Sequence, residues 1–306
     1  MNKRSIAVRR LAVLAVALPL APTACGSNRG ATGAPPAASV VPTTRVAAKD
    51  ATDRDYDRTR FSHSTEITNR WFPLKPGTQF VYSGQINQDG ERVEHRVVFT
   101  ITDLTKLIDG VRNVVLLDLD YNAGELAEAE LAFHAQDDDG NVWNMGEYPE
   151  EYENGKFSGA PDTWIAGLAA ARAGVIMRAD PRVGTSSYLQ GWAPAIDFSD
   201  TAKVLEAGRR TCGPARCYDD VLVTDEWNPD EPDAHQHKYY APEVGNIRAD
   251  FAGTEETEKE TLELIKLVHL DQAALAEIRD RALALDRHAY TSTKGLYGRT
   301  PPARRA

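Results

Sequence analysis

Arg92-Val93-Glu94-His95-Arg96-Val97-Val98-Phe99-Thr100-Ile101-Thr102 decides the fold class. Val93, His95, Val97, Phe99 and Ile101 alternate with Arg92, Glu94, Arg96, Thr100 and Thr102. A period of two puts successive side chains on opposite faces, the pattern of a half-buried strand. Gln79 to Ile86 precedes it, and Asp89-Gly90 between the two has the composition of a tight hairpin turn. Asp109-Gly110 leads into Asn113 to Tyr121, and Asp139-Gly140 into Asn141-Val142-Trp143. Further strands are expected at Lys203 to Thr211, Tyr218 to Trp227, His237 to Ala241 and Thr261 to Leu270. Long strands joined in chain order by short glycine turns form an antiparallel meander that twists as it grows. The expected fold is mainly β (α+β): a curved antiparallel meander, half-barrel or open sandwich, with a C-terminal helix.

Two segments test that reading. Glu125 to Ala135 is built of good helix formers, yet Ala127, Ala129, Leu131 and Phe133 alternate with Glu128, Glu130 and His134. Turn signals on both sides favour a strand. Residues 159–200, by contrast, break the rhythm, with Trp164, Ile165, Met177 and Trp192 spaced by Gly and Pro. So long an insertion reads as a plug that completes the core or as a lid over a cavity, and in the second case those four residues face the ligand. Beyond the β-rich domain, residues 67–270, Asp271 can cap a helix over 271–290. Its Leu275, Ile278, Ala282 and Leu285 form one stripe, and a basic tail, 291–306, follows.

The N-terminus gives an address. Lys3, Arg4, Arg9 and Arg10 precede the apolar run Leu11 to Ala21, and Pro22-Thr23-Ala24 leads into Cys25. This is the layout of a secretory signal peptide over residues 1–24. Cys25 followed by Gly26-Ser27 looks like a bacterial lipoprotein processing site, although Pro22 stands where that pattern wants Leu, Val or Ile. A diacylglycerol on the Cys25 thiol would hold the chain on a membrane, at about 0.8 kcal/mol per buried methylene. Plain secretion is the alternative. Residues 25–66, rich in Ala, Pro, Thr and Ser and then in charge, read as the lipidated Cys and a disordered stalk.

The formal net charge is −10, and the first 24 residues carry four basic groups and no acid, so the chain from Cys25 onward stands at −14. Such a body lacks the basic face that nucleic acid requires. Its basic tail could be drawn to an anionic leaflet.

Several runs resemble an uncharacterised family of bacterial secreted proteins and lipoproteins. They are Asn69-Arg70-Trp71-Phe72-Pro73-Leu74-Lys75-Pro76-Gly77-Thr78, Ala135 to Gly146, Asp219-Asp220-Val221-Leu222-Val223-Thr224, and Lys238-Tyr239-Tyr240-Ala241-Pro242 with Val244-Gly245. The likeness spans about residues 69 to 270. It implies a β-dominated extracytoplasmic domain and no particular activity.

Few constellations carry chemistry. Cys212 and Cys217 suit a disulfide across a tight turn in an oxidising compartment. His235 and His237 would project from one face of a strand, and a third His, Asp or Glu within about 4 Å would complete a divalent metal site. Surface histidines on an edge strand are the plainer reading. Gln136 to Gly140 suggests calcium, but Ala135 and Gly146 occupy the EF-hand positions that need carboxylates, and Asp-Gly as a turn suffices. Asp118 and Asp120 share a strand face, either as an acid/base pair or, preferably, as the wet face of a sheet. His95, on an apolar face, reads as a hydrogen-bonded core histidine. No GxSxG, HExxH, P-loop or GxGxxG is present, and no catalytic residue or cofactor is assigned.

The expectation is a lipid-anchored extracytoplasmic protein of the cell envelope that binds or carries an apolar or envelope-derived ligand without catalysis. Alternatives are a metal-assisted hydrolase using His235 and His237, and a structural envelope protein with a filled core.

Overall fold

The computed structural model describes residues 52–88 and 90–306. The expected signal peptide, Cys25, most of the expected stalk and Asp89 of the Asp89-Gly90 turn lie outside the described residues.

The alternating stretch belongs to an 18-residue strand, β2 (Glu91–Ile108), which pairs with β1 (Thr78–Gln88) on one side and β3 (Val111–Asn122) on the other. β2 bends between Ile101 and Thr105, where its register with β3 shifts. The Thr102 hydroxyl donates to the Val115 carbonyl (2.6 Å) and accepts from the Leu104 amide (3.1 Å), satisfying backbone groups that the bulge frees. The sheet continues through β4 (Glu125–Gln136) and β5 (Val142–Glu153), on which the short β6 (Lys156–Gly159) and β7 (Trp164–Ile165) also pair. Next come β8 (Arg172–Met177), β9 (Tyr188–Ala193), β10 (Phe198–Cys212) and β11 (Cys217–Trp227). β12 (His235–Ala241), β13 (Gly245–Ala252) and β14 (Thr261–His269) complete the run.

β14 then pairs with β1, closing twelve antiparallel strands into a barrel. The half-barrel or open sandwich is corrected in this respect. A meander long and twisted enough brings its first and last strands together, and their pairing removes both open edges.

The 159–200 insertion proves to be wall. β8 and β9 are two of its staves, set between β5 and β10. Both strands contain glycine where backbones approach closely. A Cβ on Gly174 would lie 2.2–2.5 Å from the backbone of Leu189 to Gly191, and one on Gly191 would strike the rings of Phe198 and Trp164.

Each end of the chain packs further than expected. Tyr56 and Phe61, inside the expected stalk, lie against Trp143 with ring centroids 5.4 and 6.2 Å away. The helix α1 (Gln272–Ser292) is capped by Asp271, whose carboxylate accepts from the Ala274 amide (2.9 Å). Leu275, Ala282, Leu285 and Ala289 are its buried stripe, and each Leu contributes about 2 kcal/mol on burial. The basic tail is pinned as well, since β15 (Arg304–Arg305) pairs with β2 and Arg305 reaches Asp103 at 3.2 Å. Beneath it the fully buried Lys106 ammonium is held by Asp286 (2.8 Å), Tyr290 (3.0 Å) and the Pro301 carbonyl (2.9 Å).

Because α1 and the N-terminal segment cover the outside of this wall, its outward side chains are apolar. Val115, Leu117, Leu131, Phe133 and Trp143 pack in that layer with Leu285 and Tyr297. The alternate residues of β3 and β4 consequently face the barrel interior.

Candidate functional site: a carboxylate-lined cavity inside the barrel

One end of the barrel is stoppered by the Asn69 to Leu74 motif. Asn69, buried, accepts from the amides of Trp71 (2.9 Å) and Phe72 (3.1 Å) and donates to the carbonyls of Gly140 (2.9 Å) and Arg178 (3.0 Å). Gln136 accepts from the amides of Thr68 and Asn69, while Arg70 reaches Asp220 at 2.7 Å. The motif is thereby tied to the turns at that end, with Phe72, Pro73 and Leu74 facing inward.

Above this floor lies a cavity of about 270 Å³. Its lower part is apolar, lined by Leu74, Phe80, Phe99, Val244 and Leu262. Its upper part, toward the β3–β4 turn, is ringed by five carboxylates: Asp118, Asp120, Glu130, Glu147 and Glu260. Asp118 faces Glu130 across the β3–β4 ladder, and Asp120 faces Glu128. Directly opposed like charges are unfavourable on a sheet, and doubly so out of water.

The partners of these acids are unequally shared. Glu260 binds His95 Nε2 at 3.0 Å, and His95 Nδ1 lies 2.7 Å from Asn122 Oδ1. Glu260 also accepts from Gln236. Burial works against a charged His95, but Glu260 outweighs it and raises the pKa. Glu147 accepts from Asn144 (2.6 Å) and from the Trp164 indole (3.0 Å). Lys238 points into the cavity but is engaged by Glu226 at 2.9 Å. Asp118 accepts only from its neighbouring Leu119 amide, and Asp120 Oδ1 is buried with no hydrogen-bond partner.

Protonation follows from that imbalance. Burial pushes Asp118 up to about 7. Burial, reinforced by Asp118, pushes Glu128 up to about 8. Asp120 and Glu130 stand well above the carboxylate range, first through burial and then through neighbouring acids. His134, 5 % exposed on the same wall, is pushed down to about 4 by burial, and its Nδ1 lacks a partner. It is therefore neutral at pH 7.

One expectation is corrected here and one holds. Asp118 and Asp120 share a face as the alternation requires, but that face is the cavity wall and not a wet surface. His95 is buried and hydrogen-bonded as expected, in a polar cluster whose partners come from β3 and from Glu260, just before β14.

His235 and His237 lie on the opposite face of β12 from Gln236 and Lys238. Asp225 approaches both: its Oδ1 is 2.7 Å from His235 Nδ1 and 3.5 Å from His237 Nε2. A third acid thus arrives within the expected distance, but the groups already satisfy one another. His235 Nε2 contacts the Pro232 carbonyl at 2.8 Å, and Lys203 places its ammonium 3.0 Å from Asp225 Oδ2. Among the described residues no group of three or more His, Cys, Asp or Glu is arranged to hold a metal ion.

Trp164, Ile165 and Met177 are buried in the wall, and Arg172 covers the Trp192 ring at 4.6 Å. None of the four lines the large cavity; Trp164 and Ile165 border only a crevice of about 20 Å³. Asp137 spends its carboxylate on the Asn141 amide (2.8 Å) and the Trp143 indole (2.9 Å), so the Gln136 to Gly140 run is a self-bonded turn. Cys212 and Cys217 form a disulfide at the end of the β10–β11 hairpin, with Cα atoms 3.9 Å apart.

No family model matches the chain, and no curated protein matches it. Among solved structures it is similar to a candidate exported protein with a YmcC-like fold from Bacteroides fragilis, at 13 % identity and a TM-score of 0.35. A candidate lipoprotein from Parabacteroides distasonis gives 12 % identity and a TM-score of 0.36. Each overlap covers 65 % of this chain and 99 % of the other.

Proposed function

We propose that this chain is a non-enzymatic binding or carrier protein that works outside the cytoplasm, anchored through Cys25, and that holds a small ligand inside its barrel. The supporting observation is the cavity of about 270 Å³ between the Phe72–Leu74 floor and the carboxylate ring. At about 30 Å³ per water-sized group, it has room for roughly nine such groups. A purely structural barrel has no use for that void, because empty or wet space forfeits packing. Of the apolar or envelope-derived ligands expected from the sequence, a purely apolar one suits the cavity poorly, since five carboxylates stand in its lining.

Native mass spectrometry of the full chain purified from its own host tests the reading. A stoichiometric small molecule should travel with the folded protein and leave on unfolding. Protein that arrives empty, and remains empty after incubation with a lipid and metabolite extract of the host, would favour the structural role.

A further inference from the structure

The carboxylate ring bears on the kind of molecule the barrel holds. Asp118, Asp120, Glu128 and Glu130 occupy two facing pairs on adjacent strands, and none is within ion-pairing distance of a cation among the described residues. The two nearby cations are committed, His95 to Glu260 and Lys238 to Glu226. Two buried atoms on the same wall, Asp120 Oδ1 and His134 Nδ1, have no hydrogen-bond partner. The upper cavity is thus rich in acceptors and short of donors and positive charge. Below it the lining is aromatic and aliphatic.

We propose that the cavity binds an organic ammonium ion with a short apolar chain, its N–H donors set against Asp118, Asp120 and Glu130 and its chain against Phe72, Leu74 and Phe80. This inference rests on the binding role above and names the ligand class. Cavity size limits the chain to about six carbons beside the ammonium group, by the same allowance per group. A divalent metal fits less well, because the acids do not converge on a point from which three can coordinate it.

Binding exchanges protons for the ligand's charge. At neutral pH the ring carries bound protons on its raised carboxyls. The entering ammonium keeps its own protons, and each carboxyl that ionises against it delivers one proton to the buffer. Facing the tetrad are His95 on β2, His134 on β4, Glu147 on β5, Lys238 on β12 and Glu260 just before β14. Asp162 and Glu151 add negative charge near Glu128. Of these, His95 gains positive charge as the pH falls and His134 does so only near pH 4, so the set as a whole favours a cation at higher pH.

Isothermal titration calorimetry of the full chain with hexylammonium, hexanol, hexanoate and calcium tests this, run in two buffers of different ionisation enthalpy. Hexylammonium should bind with release of protons, about tenfold more tightly at pH 8 than at pH 6. The Asp118→Asn, Glu130→Gln double variant should lose about thirtyfold in hexylammonium affinity. It keeps the shape of both side chains and removes repulsion, so it should fold. Hexanol binding as tightly as hexylammonium, preferential binding of hexanoate, or calcium binding reversed by a chelator would each overturn the ammonium assignment while leaving a binding role intact. Failure of all four probes, with a co-purifying anionic or neutral molecule seen by native mass spectrometry, would overturn it too. Failure of all four with protein that is empty from its host would remove the binding role with it.

Discussion

Replacing Asp118 by Asn should make this protein more stable above pH 7 and leave it nearly unchanged at pH 4. Raising the Asp118 carboxyl from 3.8 to about 7 costs the folded state about 4 kcal/mol once the group is ionised, at about 1.4 kcal/mol per pH unit. The sign follows from proton counting. Between pH 3.8 and about 7 the folded chain retains a proton that the unfolded chain has released, so stability falls as the pH rises through that window and stays low above it. Asn keeps the carbonyl oxygen that accepts from the Leu119 amide (2.9 Å) and carries no charge at any pH. At pH 8 the variant should therefore gain about 2–4 kcal/mol, the lower figure applying where Asp120, Glu128 and Glu130 take over part of the protonation as a coupled set. In a barrel of this size that is a rise in Tm of about 5–10 °C. Urea unfolding followed by tryptophan fluorescence at pH 4, 6 and 8 measures it for both proteins. A wild type whose stability is flat from pH 4 to pH 8, or an Asn variant that is weaker than wild type at pH 8, would refute the account of a buried, unpaired ring.

Lys106→Met should cost about 3–5 kcal/mol, because Asp286 is left as a buried carboxylate with only the Tyr297 hydroxyl (2.6 Å) and the Ala303 amide (3.1 Å). The double variant Lys106→Met, Asp286→Leu should recover most of that loss in the same denaturation assay. Reduction of Cys212–Cys217, or Cys212→Ser, should lower stability by about 2 kcal/mol and leave the far-ultraviolet circular dichroism unchanged, since the closed loop is short and pins one hairpin end. Cys25→Ala should release the protein from the host's membrane fraction into the medium, and a variant that stays membrane-bound would remove the lipid anchor from the proposal.

Much of the wall was legible because its residues obey local rules. The alternation in β2, the Asp-Gly turns and the cap at Asp271 act over a few neighbours, so the sequence carries them in plain order. β13, with Asn246-Ile247-Arg248-Ala249 just after its first residue, gives no strand signal because the proline, glutamate and glycine before it have the composition of a loop. β8 and β9 were hidden for a different reason. Their buried residues lie on both faces, and Gly174 and Gly191 serve backbone contacts that no pattern of hydrophobicity records.

The site shows the same division. Alternation correctly put Asp118 with Asp120 and Glu128 with Glu130 on single faces, but read the Asp118 and Asp120 face as the wet side of the sheet. Sequence establishes that a strand has two sides; it cannot say which side is inward. Here α1 covers the convex side with apolar contacts, so the acids turn into the barrel. The sequence does carry a signal: a strand with charge on one face and a bulky, unbroken apolar face on the other needs a cover, and α1, the one long helix among the described residues, supplies it.

By itself, then, the sequence determined strands, turns, one helix with its cap, and the pairing of two cysteines five residues apart. Closure of the ring, the stopper at Phe72–Leu74 and the meeting of acids from β3, β4, β5 and the residue before β14 around one void were decided only in three dimensions. Those contacts join residues from distant parts of the chain, Thr78 with His269 and Asn69 with Arg178 among them, and their energies depend on what lies opposite each side chain, which no stretch of the chain specifies alone.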